Sequence, residues 1–367
     1  MKEKIKSVWT NPALRGTSIF MVGNVVVSGL AFTYHFLLAR LLGPHEYGIL
    51  AALFGLLYFV QVPINTVDFL ITKLISSFEA EKIVSHTRGL ISYLVQKVGL
   101  VSLLVFPVLL LLSKFVQDFL KLPEIGPVIA IWLFIYLLLI ITVLRAVLKA
   151  WLRFTDLVLN QIIEMVARLG LSVVFIYFVS AWYGWGLVGV ILASLLVLFI
   201  SLFQVREILS VPTDKFEHHK WPIKSLGIGG LVLSLAYTLM YSIDILLVKH
   251  FFSDYWTGIY AVLVTAGKVV YFAQSPLSTA MIPVVARKSQ HPAHARNDLW
   301  FLLGISGLIG TSIVGLYFVA SQALVISVFS SKFIAAAPLM AWMGLAIFGY
   351  ALANTCAGFL LALNKTK

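Results

Sequence analysis

Runs of about 20 consecutive apolar residues, each long enough to cross a bilayer as a helix, recur along this whole chain with short polar stretches between them. They predict ten membrane spans, at residues 17–38, 48–71, 89–112, 125–147, 161–181, 186–205, 225–248, 258–285, 299–320 and 335–363. Ordinary buried strands are shorter. A transmembrane barrel would show segments of about 10 residues with alternating polarity, and these runs have no such alternation. The expected fold class is therefore all-α, a polytopic membrane protein.

Composition agrees: 60% of the 367 residues are hydrophobic and 11% are charged, which excludes a soluble enzyme or nucleic-acid-binding protein. A net charge of +12 would suggest nucleic acid in a soluble chain. Here the Lys and Arg residues fall between apolar runs, so anionic membrane lipids are the expected partner and nucleic acid is not. The single cysteine, Cys356, excludes an intramolecular disulfide. No cleavable leader is expected ahead of the first run, which is itself long enough to span.

Orientation follows from the asymmetry of the basic residues. One side of the threading holds Lys2, Lys4, Lys6, Arg15, Lys73, Lys82, Arg88, Lys149, Arg153, Arg206, Lys215, Lys220, Lys224, Arg287, Lys288, Arg296, Lys365 and Lys367, while the other holds Arg40, Lys114, Lys121, Lys249 and Lys332. That other side carries aromatic anchors instead, at Trp182, Tyr183, Trp185, Tyr255 and Trp256. The chain is thus expected in the plasma membrane with both termini cytoplasmic.

The segment LLARLLGPHEYGILAAL (Leu37 to Leu53) returns as LLVKHFFSDYWTGIYAVL (Leu246 to Leu263), with a basic residue closing one helix and a Gly-Ile pair opening the next. Both copies begin from the same side, so the repeats are parallel. The expected organisation is a cytoplasmic segment at residues 1–16, a six-helix bundle at 17–205, a polar linker at 206–224 and a second bundle at 225–367. The second bundle has four spans by this division. The expectation is six plus four helices, truncated from twelve or more.

Catalytic signatures are absent: the chain has no Walker loop, no strand-borne GxGxxG, no HExxH and no CxxC. No catalytic residue, metal or cofactor is expected, and the chain is not read as an enzyme. His218, His219, His291 and His294 are expected as solvated loop residues. Charges inside spans are more informative, because each costs roughly 2.5 to 3.5 kcal/mol near the bilayer centre. Lys97, Arg168 and Lys268 lie deep in spans 3, 5 and 8, and Asp68, Glu164 and Asp244 are the intramembrane acids. Glu164 and Arg168 are four apart on one helix and can pair locally, whereas Arg145 and Lys73 lie near span ends and are expected to snorkel. The three deep cations, drawn from both halves, suggest a positively charged cavity that neutralises an anionic head group. The acids serve either as structural counter-charges or as ion-coupling groups. Pro63 and Asn65 in span 2, with Gln274, Pro276 and Pro283 in span 8, suggest helices that bend.

The motif ARLLGPHEYG (Ala39 to Gly48) resembles the signature of the polysaccharide flippases, the polysaccharide biosynthesis proteins of Wzx type. The likeness continues through NQIIEMVARLGL (Asn160 to Leu171), YGWGLVGVILAS (Tyr183 to Ser194) and SIDILLVKHFFSDYWTGIYA (Ser242 to Ala261). The resemblance implies the fold of the multidrug, oligosaccharidyl-lipid and polysaccharide exporters, with two helical bundles around a V-shaped cavity. It further implies a flippase moving undecaprenyl-pyrophosphate-linked oligosaccharide from the inner to the outer leaflet by alternating access. Lys97, Arg168 and Lys268 would then hold the pyrophosphate, and Asp68, Glu164 and Asp244 would be available for proton or sodium coupling. Lys249 stands where the family usually has a small residue. Two alternatives stay open: a cation-coupled multidrug exporter of the same superfamily, disfavoured by the basic rather than acidic spans, and a membrane-embedded glycan polymerase or transferase, disfavoured by the short loops.

Overall fold

The computed structural model describes the backbone of residues 12–80, 84–209, 243–287 and 292–362. Every element among them is helical. In chain order these are α1 (Pro12–Ala80), α2 (Val84–Phe119), α3 (Gly126–Ala150), α4 (Phe154–Phe178) and α5 (Tyr183–Leu209). Then come α6, visible over 243–251, α7 (Asp254–Arg287), α8 (Pro292–Leu324) and α9 (Ala337–Ala362), the last preceded by a π turn at Val325–Phe329 and a 3-10 turn at Ser331–Ala336. Residues 210–224 of the expected linker and 225–242 of the seventh span lie outside the described residues.

Eight helical stretches among the described residues are long and apolar enough to cross a membrane. The first, Ser18–Tyr58, has 41 residues; straight, it would be about 60 Å long, roughly twice the hydrocarbon thickness. It does not run straight. Gly43 has φ 76° and ψ 177°, a conformation that only glycine adopts without strain, and Pro44 behind it favours the extended ψ. The two arms fold back on each other there: the ring of His35 lies 6.0 Å from that of Phe54, and Tyr47 Oη is within 3.3 Å of His35 Nδ1. Spans 1 and 2 are therefore a hairpin with a one-residue break in place of the expected loop. Through Pro63 the backbone of α1 stays helical.

The chain divides into two compact units, Met1–Thr257 and Gly258–Lys367. In the first, α3 is central, with Ile131, Phe134, Leu144 and Val147 among its many buried side chains. Around its last turns Ile71, Leu148, Leu157 and Val205 close a core shared by α1, α3, α4 and α5. Val25, Leu104, Leu111, Phe178, Phe199 and Phe203 point outward, as side chains do on a surface solvated by lipid. Close approach of α5 to α4 rests on Gly189, where a Cβ would stand 2.7 Å from the backbone nitrogen of Ser172.

The turns of this unit alternate between its two ends. At one end, the α1 break, the α2–α3 turn, the start of α5 and the α6–α7 turn touch: His45 Nε2 is 3.4 Å from Asp254 Oδ2, Tyr183 N–H donates to Glu46 at 3.0 Å, and His250 Nδ1 donates to Phe119 O at 2.7 Å. The α3–α4 turn lies at the other end, where Arg153 Nη1 donates to Gln204 O at 2.9 Å. In the second unit, Tyr317 of α8 donates to Ala266 O of α7 at 2.8 Å, and the rings of Phe318 and Trp342 bring α8 onto α9 with centroids 5.9 Å apart.

Candidate functional site

Helix α4 places Asp156, Asn160, Glu164, Arg168 and Ser172 at successive intervals of four. Because such residues stack on one face of a helix, the spacing draws a polar stripe along an otherwise apolar span. That stripe faces α3 and α5. Glu164 is buried, at 2% exposure, and both of its carboxylate oxygens are taken. Arg145 Nη2 of α3 donates to Oε2 at 2.7 Å, and Arg168 Nη2 donates to Oε1 at 2.6 Å.

The two arginines are held differently. Arg145 makes a second bond, Nε to Asn160 Oδ1 at 2.8 Å, and Asn160 is itself fixed by donating to Ser201 Oγ at 2.8 Å and Gln204 Oε1 at 3.1 Å on α5. Among the described residues Arg168 has Glu164 as its single ion pair. Its guanidinium lies 5.4 Å from the ring centroid of Phe134 and 6.0 Å from that of Tyr34, within cation–π range. Its Nε is buried without a hydrogen-bond partner among the described residues. Two guanidinium charges against one carboxylate leave the cluster one positive charge in excess. Two neighbouring cations among the described residues have acids of their own: Lys149 Nζ pairs with Asp68 Oδ2 and Arg153 Nε with Asp156 Oδ2, each at 2.6 Å.

Of the three cations singled out from the sequence, Arg168 is thus built into this cluster, Lys97 is exposed on α2 and Lys268 is half-buried on α7 in the second unit. Of the acids, Glu164 and Asp68 have the partners just described, and Asp244 on α6 accepts from the Ile245 N–H at 2.8 Å. Arg145 does not snorkel; it turns inward to Glu164 with its side chain 14% exposed. Sequence reasoning missed Asn160, which the every-fourth-residue stripe on α4 was there to show, and Arg145, which lies on α3 outside that stripe. Among the described residues no group of three or more His, Cys, Asp or Glu could hold a metal ion.

A family model described as polysaccharide biosynthesis protein matches residues 13–289, and so takes in this whole cluster. The chain belongs to that family. No curated protein matches this member of the polysaccharide biosynthesis family in sequence. Solved structures share its fold. The MATE multidrug transporter DinF-BH superposes with TM-score 0.62 at 16% identity, over 96% of this chain and 81% of its own. The lipid II flippase MurJ in an inward closed conformation gives TM-score 0.65 at 13% identity, over 95% of this chain and 76% of its own. A MOP superfamily transporter from Pyrococcus furiosus, described as having a binding pocket of reverse polarity, gives 0.57 at 11% identity, over 97% and 96%. This polysaccharide biosynthesis protein is therefore a multi-pass membrane protein with the fold of the MOP superfamily.

Proposed function

We propose that this protein is a flippase, which carries an oligosaccharide linked to undecaprenyl pyrophosphate from the inner to the outer leaflet by alternating access, both termini being cytoplasmic. The observation that supports this is the surplus positive charge of the Arg145–Glu164–Arg168 cluster in a chain of the polysaccharide biosynthesis family. A buried cation without a full counter-charge is costly in an apolar medium, and a phosphate oxyanion is the ligand that offsets that cost. A cationic drug would meet repulsion at the same place.

In this proposal Arg168 holds the pyrophosphate, Lys97 and Lys268 add positive charge for it, and the prenyl tail stays in lipid. Asp68 and Glu164 neutralise basic partners, and these two with Asp244 are the acids proposed as structural counter-charges or for coupling to proton or sodium.

Reconstitution tests the whole reading. Proteoliposomes should translocate a fluorescent lipid-linked oligosaccharide, and Arg168→Gln should abolish most of that flux while membrane insertion persists. Uptake of a cationic fluorescent dye without lipid translocation would replace the proposal with the multidrug exporter. Elongation of the glycan would replace it with the polymerase or transferase.

A further inference from the structure

The two arginines around Glu164 raise the question of why one carboxylate has two strong partners. Arg145 is locked: it bonds both Glu164 and Asn160, and Asn160 is anchored to Ser201 and Gln204. Arg168 is held by one ion pair and two ring faces, and its Nε lacks a partner among the described residues. If Arg168 left Glu164, the carboxylate would keep the 2.7 Å bond to Arg145 and would not become an isolated buried charge. In the reverse exchange Glu164 would keep Arg168, but Arg145 would have to abandon Asn160 as well.

We propose that Arg168 exchanges partners during transport, with Glu164 as its anion in the empty carrier and a phosphate oxygen of the ligand in the loaded one. Arg145 holds Glu164 in both states. Glu164 is then an internal competitor for the site, a carboxylate standing in for the ligand's phosphate. Its presence lowers affinity and gives Arg168 an anion to hold while the empty site returns. The guanidinium suits either occupant, since the N–H that Arg168 donates to Glu164 Oε1 can be donated to a phosphate oxygen instead. The aromatic faces of Tyr34 and Phe134 keep Arg168 company whichever anion it holds.

This inference rests on the flippase reading for the identity of the ligand but is tested separately from it. The measurement is binding to the purified full-length protein in nanodiscs, with undecaprenyl diphosphate, phosphatidylglycerol and inorganic pyrophosphate as probes. Glu164→Gln should tighten phosphate binding about tenfold, and Arg168→Gln should lose it. Because Glu164→Gln leaves two arginines facing each other, the pair Arg145→Gln with Glu164→Gln serves as a second variant that restores a neutral hydrogen-bonded couple, and it should show the same gain. Weaker or unchanged binding in both Glu164 variants, with loss in Arg168→Gln, would overturn the exchange and leave the phosphate site intact. Unchanged binding in Arg168→Gln would overturn both. A gain confined to the diphosphate probes supports exchange with a prenyl diphosphate. Equal gains with phosphatidylglycerol support exchange with a lipid headgroup and overturn the substrate assignment.

Discussion

His45 and Asp254 lie 3.4 Å apart, imidazole to carboxylate, although 209 residues of sequence separate them. Each comes from one copy of the repeated segment, His45 from the break in α1 and Asp254 from the start of α7. Asp254 also takes the ion pair of Lys249, whose side chain is 1% exposed. The contact therefore ties a buried charge, two turns and the α1 hairpin into one knot.

Removing the carboxylate should show what that knot contributes. Asp254→Asn leaves Lys249 buried without an anion, a change that typically costs about 3 to 5 kcal/mol. The purified protein in detergent should melt well below the parent. Adding Lys249→Met should restore most of the loss, because the unpaired charge is then gone. A double variant as unstable as the single one would show that the pair is not what matters.

Gly43→Ala should be damaging for a different reason. With φ 76° and ψ 177° the position lies outside the range of L side chains, and the strain is on the order of 1 to 3 kcal/mol or more. A lower melting temperature and a reduced yield of inserted protein are expected. A parent-like yield and melting temperature would mean that the hairpin can form with another backbone geometry.

At Gly189 the obstacle is packing. An alanine Cβ there would meet Ser172 Oγ at 2.2 Å, its backbone nitrogen at 2.7 Å and its Cα at 2.9 Å. Overpacking of this kind costs about 1 to 3 kcal/mol, and it forces α4 away from α5. Ser172→Ala should not rescue Gly189→Ala, since two of the three contacts are to backbone. Rescue would show that the hydroxyl alone was in the way.

Orientation can be read by labelling in a Cys356→Ser background, which removes the chain's single cysteine. A cysteine at Trp182 should react with an impermeant maleimide in intact cells, and one at Lys215 only after permeabilisation. The opposite pattern would invert the threading.

The span pattern was legible because apolar runs of membrane length are a local property of sequence. The pair Glu164 and Arg168 was legible for the same reason, being one helical turn apart. Arg145 was not: its partner lies 19 residues on and across a helix boundary, and nothing in its own neighbourhood distinguishes an arginine that snorkels from one that turns inward. His45 likewise carries no local sign of Asp254. The expected loop at Gly43 is a one-residue break because glycine before proline reverses the chain without surrendering helix on either side.

The ion pair between Lys249 and Asp254 bears on how the chain enters the membrane. Its partners are five residues apart on one helical hairpin, so they can neutralise each other while that hairpin is still the newest segment to leave the ribosome. Arg145 and Glu164 belong to successive helices and meet only when α3 and α4 have both entered. The protein thus contains one charge pair that can cross the bilayer as a self-contained neutral unit, and another whose members must be sheltered separately until their helices dock. Biogenesis should be most dependent on insertion machinery at α3 and α4 and least at the α6–α7 turn.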